Sequence, residues 1–188
     1  MIRAAGVVLL LAVTGCAARG PLEQASNASP TPEPLRQQIP LQRAAPLQVL
    51  GYTIADSVRY PQAEAGTLYR YRGGGPLSPD VYLYPRGAAG TVDSDAEGFH
   101  RSLEVIRQRG VYGAYEVDSD RSWSPIPEIP GREIVASLHF SEGIRTSYYY
   151  IFTVHDQFVK VRITLPKGQV EAETVREFVR ALLDSVKP

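Results

Sequence analysis

Residues 133–165 read EIVASLHFSEGIRTSYYYIFTVHDQFVKVRITL. Three β-rich runs lie here end to end. In the first, Ile134, Ala136, Leu138 and Phe140 alternate with Glu133, Val135, Ser137, His139 and Ser141. The second, Thr146 to Val154, is β-forming throughout. In the third, Val159, Val161, Ile163 and Leu165 alternate with Phe158, Lys160, Arg162 and Thr164. Turn residues at Glu142-Gly143-Ile144 and Asp156-Gln157 leave little chain between the runs, so the stretch predicts an antiparallel meander of three strands. Pairing Val154 with Val159 and Phe152 with Val161 puts Tyr148, Tyr150, Phe152 and Val154 on the face of Val159, Val161, Ile163 and Leu165. A three-residue loop centred on Gly143 would add Ile134, Ala136, Leu138 and Phe140 to that face. A slip of one residue would mix the faces, so burial should fix the register.

The pattern outside this stretch changes from period two to period 3.6. In 171–186, Val175, Phe178, Val179, Leu182, Leu183 and Val186 form one stripe. This predicts an amphipathic helix covering the meander. Upstream, Phe99, Leu103 and Ile106 mark another helix. Ser94 and Glu97 have capping-box spacing, Asp93 and Asp95 suit the positive helix end, and Gly110 is a natural stop. Thr67 to Arg72 and Asp80 to Tyr84 read as strands separated by a flexible Gly73-Gly74-Gly75-Pro76 loop. Weaker strand signals lie at 49–58 and 111–117, and 118–131 reads as a long proline-containing loop. The order is strands, helix, strands, helix, which is α+β with an antiparallel sheet packed by two amphipathic helices.

The chain has 188 residues, with twenty Lys and Arg balancing twenty Asp and Glu. That balance gives no reason to expect a nucleic-acid partner. Every tyrosine, phenylalanine and tryptophan lies beyond residue 46. Residues 47–188 are therefore read as a single domain, large enough to build its own core. Residues 17–46 hold six prolines and no aromatic residue. They read as a disordered tether with an r.m.s. span of about 30 Å.

The N-terminus carries Arg3, an apolar run from Ala4 to Val13, then Thr14, Gly15 and the sole cysteine, Cys16. The run is too short for a bilayer span, which needs about 20 apolar residues. It suits the core of a signal peptide. Val13-Thr14-Gly15-Cys16 resembles the lipobox of bacterial lipoproteins. That resemblance implies a signal peptide at 1–15, removal of it before Cys16, and acyl chains on Cys16. Each buried CH₂ would contribute about 0.8 kcal/mol to membrane residence. Ala17 after the cysteine resembles the outer-membrane sorting signal of enteric-type envelopes. The expectation is a lipid-anchored protein of the bacterial cell envelope, at the periplasmic face of the outer membrane, with an envelope protein as partner.

A late strand, Phe158 to Pro166, followed by a C-terminal amphipathic helix resembles the PsbP-like and DcrB-like α/β/α domains over 47–188. That resemblance implies a domain that docks on membrane assemblies, mostly without a catalytic site, and it transfers no functional residue.

Candidate chemistry is sparse. Asp93, Asp95, Glu97, Gly98 and Glu104 nearly fit the calcium loop D-x-[DN]-x-[DN]-G-x₅-E. Helix capping explains the same acids and is preferred, so no metal and no cofactor is expected. His100 is placed at the surface, His139 mid-strand and His155 at a turn. No G-x-S-x-G, H-E-x-x-H or phosphate loop occurs. The predicted strand pairing places Tyr149 near Ser137 and Thr164, Ile151 near Val135 and Arg162, and Thr153 near Glu133 and Lys160 on the second face of the meander. The helix at 94–109 is the preferred cover for it. Trp123, Tyr149 and Arg162 are the candidate binding surface, because these residue types are enriched at binding hot spots. The functional expectation is a non-catalytic binding or scaffolding domain, with a small-molecule or calcium binder as the alternative, ahead of an enzyme with an unrecognised site.

Overall fold

The computed structural model describes residues 45–87 and 90–186. The expected signal peptide, Cys16 and nearly all of the tether lie outside the described residues.

Eight strands form one sheet: β1 (Gln48–Val49), β2 (Tyr52–Arg59), β3 (Thr67–Arg72), β4 (Asp80–Pro85), β5 (Ala114–Ser122), β6 (Gly131–Phe140), β7 (Gly143–Val154) and β8 (Gln157–Pro166). Their spatial order is β1-β2-β3-β4-β8-β7-β6-β5, and all neighbours are antiparallel. Each half of the chain thus builds a four-stranded meander, and β4 and β8 join the halves at the centre. Between the halves runs α1 (Val92–Gln108), and α2 (Ala172–Val186) closes the chain. The predicted meander is part of a sheet more than twice as wide.

The two helices cover opposite faces. On the α2 side, Tyr148, Tyr150, Phe152, Val159, Val161 and Ile163 pack with the apolar stripe of α2. Phe178 meets the rings of Tyr52 and Tyr71 edge-on, 5.4 and 5.8 Å between centroids. On the α1 side, Ala96, Phe99 and Leu103 pack on Ile134, Ala136, Leu138, Tyr149 and Ile151.

The β7–β8 faces are as predicted, although the pairing is shifted by two residues: Phe152 faces Val159 and Val154 faces Gln157. A two-residue turn, His155-Asp156, closes this hairpin, with His155 in the left-handed region at φ 56°. A shift of two keeps every side chain on its face.

The β6 expectation is overturned. The β6–β7 turn is Ser141-Glu142, with Phe140 opposite Gly143 and Ile134 opposite Tyr149. Ile134, Ala136, Leu138 and Phe140 therefore lie under α1, not α2. The odd positions turn to the α2 face, where Glu133 is fully buried between Arg176 and Arg121 (2.8 Å each). Ser137 is buried as well. It donates to Asp118 and accepts from Lys167. Ion pairing across elements lets polar residues occupy core positions that hydrophobic alternation assigns to carbon.

Two boundaries also move. The cap of α1 is Thr91, reciprocally bonded with Ser94, and not Ser94 with Glu97. The strand expected at 111–117 is β5, running to Ser122, so the proline-containing loop is only 123–130. At its end Gly131 sits directly opposite Phe152. A Cβ there would come within 2.1 Å of the Phe152 ring.

Candidate functional site

Period-two alternation on β4 and β8 decides what faces α1. Val81, Leu83, Val159 and Val161 go into the α2-side core. Their neighbours Asp80, Tyr82, Tyr84, Lys160 and Arg162 are thereby forced to the other face. Asp80 stands opposite Arg162, Tyr82 opposite Lys160, and Tyr149 of β7 flanks Arg162. Helix α1 covers only part of this polar set. A cavity of about 300 Å³ remains between helix and sheet.

Its sheet wall is formed by Tyr82, Tyr149, Lys160 and Arg162, and its helix wall by Asp95, Gly98, Phe99 and Ser102. Phe99 stacks on Tyr149 with 4.1 Å between ring centroids. Asp95 accepts hydrogen bonds from the hydroxyls of both Tyr84 and Tyr149, one on each carboxylate oxygen. Burial, together with that carboxylate, pushes both phenols far above the usual tyrosine range. Ser102 donates to the Phe99 carbonyl. Gly98 leaves an opening in the helix wall. A Cβ there would meet nothing nearer than Arg101, at 3.8 Å.

The Lys160 ammonium lies over three tyrosine rings: 5.1 Å from the centre of Tyr82, 5.0 Å from Tyr84 and 5.9 Å from Tyr149. The π faces stabilise the cation without accepting its N–H bonds. Burial and the neighbouring Arg162 charge hold its pKa below the usual lysine range, against the pull of Asp95. Among the described residues neither the Lys160 nor the Arg162 side chain has a hydrogen-bond or ion-pair partner. Asp80, across from Arg162, is 3.7 Å from Arg72. Burial raises its pKa despite Arg72, Arg70 and Arg162.

The structure brings Tyr149 and Arg162 to this cavity and leaves Trp123 elsewhere. Trp123 packs on the opposite face, 5.0 Å from the Tyr150 ring and 5.8 Å from that of Phe152, with Arg180 over it. The three therefore do not form one surface. Tyr149 is 3% exposed, so it acts as a wall rather than a contact point. Its neighbours are Ile134 and Arg162, not Ser137 and Thr164.

The residues of the calcium-loop spacing take the helical alternative. They lie within α1, which is helix and not loop. Asp93 pairs with Arg132, Glu97 with Arg101 and Glu104 with Arg107. No metal-binding group of three acids, histidines or cysteines occurs among the described residues. His100 pairs with Asp120 at 2.8 Å. His139 and His155 lie towards opposite ends of β7.

Lys160 was not singled out by sequence. A signal was present: Tyr82 and Tyr84 share a parity on one strand, and Lys160 and Arg162 do on another. Only the β4–β8 pairing makes them neighbours.

No family model matches the chain, and no curated protein matches it. Solved structures similar to it include the solution structure of cyanobacterial PsbP from Synechocystis. That match has 10% identity, covers 72% of this chain and 85% of the other, and has a TM-score of 0.47. Another is the crystal structure of a protein of unknown function from Pseudomonas aeruginosa, described as a putative regulator. It has 8% identity, covers 64% and 81%, and has a TM-score of 0.40.

Proposed function

We propose that this chain is a lipid-anchored protein of the bacterial cell envelope whose domain binds rather than catalyses. Its domain is of the PsbP-like or DcrB-like α/β/α kind, with one helix on each face of an antiparallel sheet. The observation that carries the anchor is the ordered set of charge, apolar run, small residues and sole cysteine ending at Cys16. Acyl chains there would hold the module on the periplasmic face of the outer membrane. Envelope protein partners remain part of this reading.

The α1–sheet cavity favours the small-molecule form of binding. Its size is at the lower end of ligand pockets, and it combines aromatic walls with a few convergent polar groups. Its polar groups are arranged to hold. Asp95 is locked by two phenols, and Ser102 is bonded to a carbonyl.

Fractionation of cells carrying Cys16→Ala tests the anchor. The expected result is protein left unprocessed or released from the membrane. Unchanged membrane fractionation, or a mature protein whose Cys16 thiol is unmodified by mass spectrometry, would remove the proposal.

A further inference from the structure

Lys160 and Arg162 occupy alternate positions on β8 and so share a face, about 7 Å apart along the strand. Both line the cavity under α1. The lining carboxylate, Asp95, has both oxygens engaged by Tyr84 and Tyr149. The side chains of the two lining cations have no hydrogen-bond or ion-pair partner among the described residues, and Asp95 and Asp80 attract them only through space. Asp80 faces Arg162 across the β4–β8 ladder, but it forms no ion pair with it; its ion-pair partner is Arg72.

The Lys160 ammonium is poorly solvated in such a place. The tyrosine rings around Lys160 replace water with surfaces that cannot accept a hydrogen bond. Two like charges so close also repel each other, and an anion between them would relieve that repulsion. In a partly desolvated cavity its attraction is stronger than at an open surface.

We propose that this cavity is a site for a small oxyanion, a phosphate or carboxylate on a compact aromatic body. Arg162 supplies a planar fork for two oxygens, the geometry that suits both groups. Lys160 supplies up to three donors from its aromatic cage. Phe99 and Tyr82 flank the body. Gly98 leaves room for it, because a larger residue on that helix face would project into the cavity. A volume of about 300 Å³ admits a single-ring compound and excludes a dinucleotide or a folded peptide. The same oxyanion could come from a free metabolite or from the headgroup of an anionic lipid. This inference rests on the small-molecule reading above.

The test uses the full chain purified in a non-ionic detergent, titrated calorimetrically with four probes. Phenyl phosphate and benzoate represent free anions. Dihexanoyl phosphatidylglycerol represents the headgroup, and benzamide is the neutral control. Saturable binding of phenyl phosphate or benzoate with at least about tenfold preference over benzamide is expected. Binding of the phosphatidylglycerol alone would keep the oxyanion site and make the lipid its source. Arg162→Gln and Lys160→Met should each weaken binding about tenfold or more. Gly98→Leu, which fills the cavity from a helical position, should abolish binding while the thermal transition persists.

Preference for benzamide would overturn the oxyanion proposal and leave the small-molecule reading standing. Absence of binding by all four probes would overturn both. Anion binding that survives both the Arg162→Gln and Gly98→Leu substitutions would place the site elsewhere and also overturn the proposal.

Discussion

Tyr148, Tyr149 and Tyr150 are consecutive, yet they belong to different environments. Tyr148 and Tyr150 face α2, among valines, isoleucines and phenylalanines. Tyr149 faces α1, with its hydroxyl on Asp95 and its ring near the Lys160 ammonium. Charge is treated differently on the two faces. Under α2 the buried Glu133 carboxylate is matched by Arg176 and Arg121. Under α1 the Lys160 and Arg162 side chains form no ion pair among the described residues, although Asp95 attracts the first and Asp80 the second. The α2 face is a core that satisfies itself. The α1 face is covered by a helix but keeps a polar opening. One side of the sheet thus stabilises the domain, and the other is the side proposed to bind.

The largest expected effect is on the α2 face. Phe178 is fully buried against Tyr52 and Tyr71. Phe178→Ala should cost about 3–5 kcal/mol in chemical denaturation. It should leave anion affinity unchanged in whatever fraction stays folded, and a selective loss of binding would blur the division.

Next is Glu133→Gln, which leaves Arg176 and Arg121 facing a neutral amide. Breaking a buried pair costs about 3–5 kcal/mol. Arg121 is half-exposed, so solvent screening brings the expectation nearer to about 2 kcal/mol. A pH signature accompanies it. Burial opposes ionisation of Glu133, but Arg176, the Tyr150 phenol and Arg121 outweigh burial and lower its pKa below 4.5. Its contribution is therefore present above that unfolded-state value and lost as pH falls through the lower folded value. Wild type should lose this part of its stability below about pH 4.5, and the Glu133→Gln variant should show a shallower acid limb. Parallel acid limbs would contradict the role given to the triad.

Asp95→Asn keeps an acceptor for only one of the Tyr84 and Tyr149 hydroxyls, sets an amide donor against the other, and removes a charge from the cavity. A loss of about 1 kcal/mol is expected in thermal unfolding, together with tighter phenyl phosphate binding. Weaker binding would mean that the carboxylate serves the ligand directly. The smallest effect has the opposite sign. Gly98 is inside α1 and faces open space. Gly98→Ala should raise stability by up to about 1 kcal/mol, measured by the urea midpoint.

The α2 face was legible in the sequence because one helix stripe and one strand parity agreed there. Every apolar position of the 175–186 stripe is buried. The error at β6 came from treating the sheet as having one apolar face. Ile134, Ala136 and Leu138 are apolar because α1 lies over them. Glu133 sits in the core because Arg176, 43 residues later, reaches it. Alternation along one strand cannot show which helix covers it, nor which distant cation offsets a buried acid. The turn added to the error. Ser141-Glu142 closes the hairpin ahead of Gly143, whose φ of 137° starts β7 instead of centring the loop. The cavity was half legible. Tyr149 and Arg162 were singled out, but Tyr82, Tyr84 and Lys160 become a cage only through the central β4–β8 pairing, which sets Tyr82 opposite Lys160 although they are 78 residues apart in the chain. Trp123 attracted notice as a loop aromatic, yet its ring closes the α2-side core.

Tyrosine-selective ¹³C NMR during a phenyl phosphate titration tests the division of the two faces most directly, because each ring reports one side of the sheet. The account expects saturable shifts of Tyr82 and Tyr149, with Tyr71, Tyr148 and Tyr150 unmoved. Shifts on the Tyr71, Tyr148 and Tyr150 rings, or none on Tyr82 and Tyr149 at saturation, would contradict it.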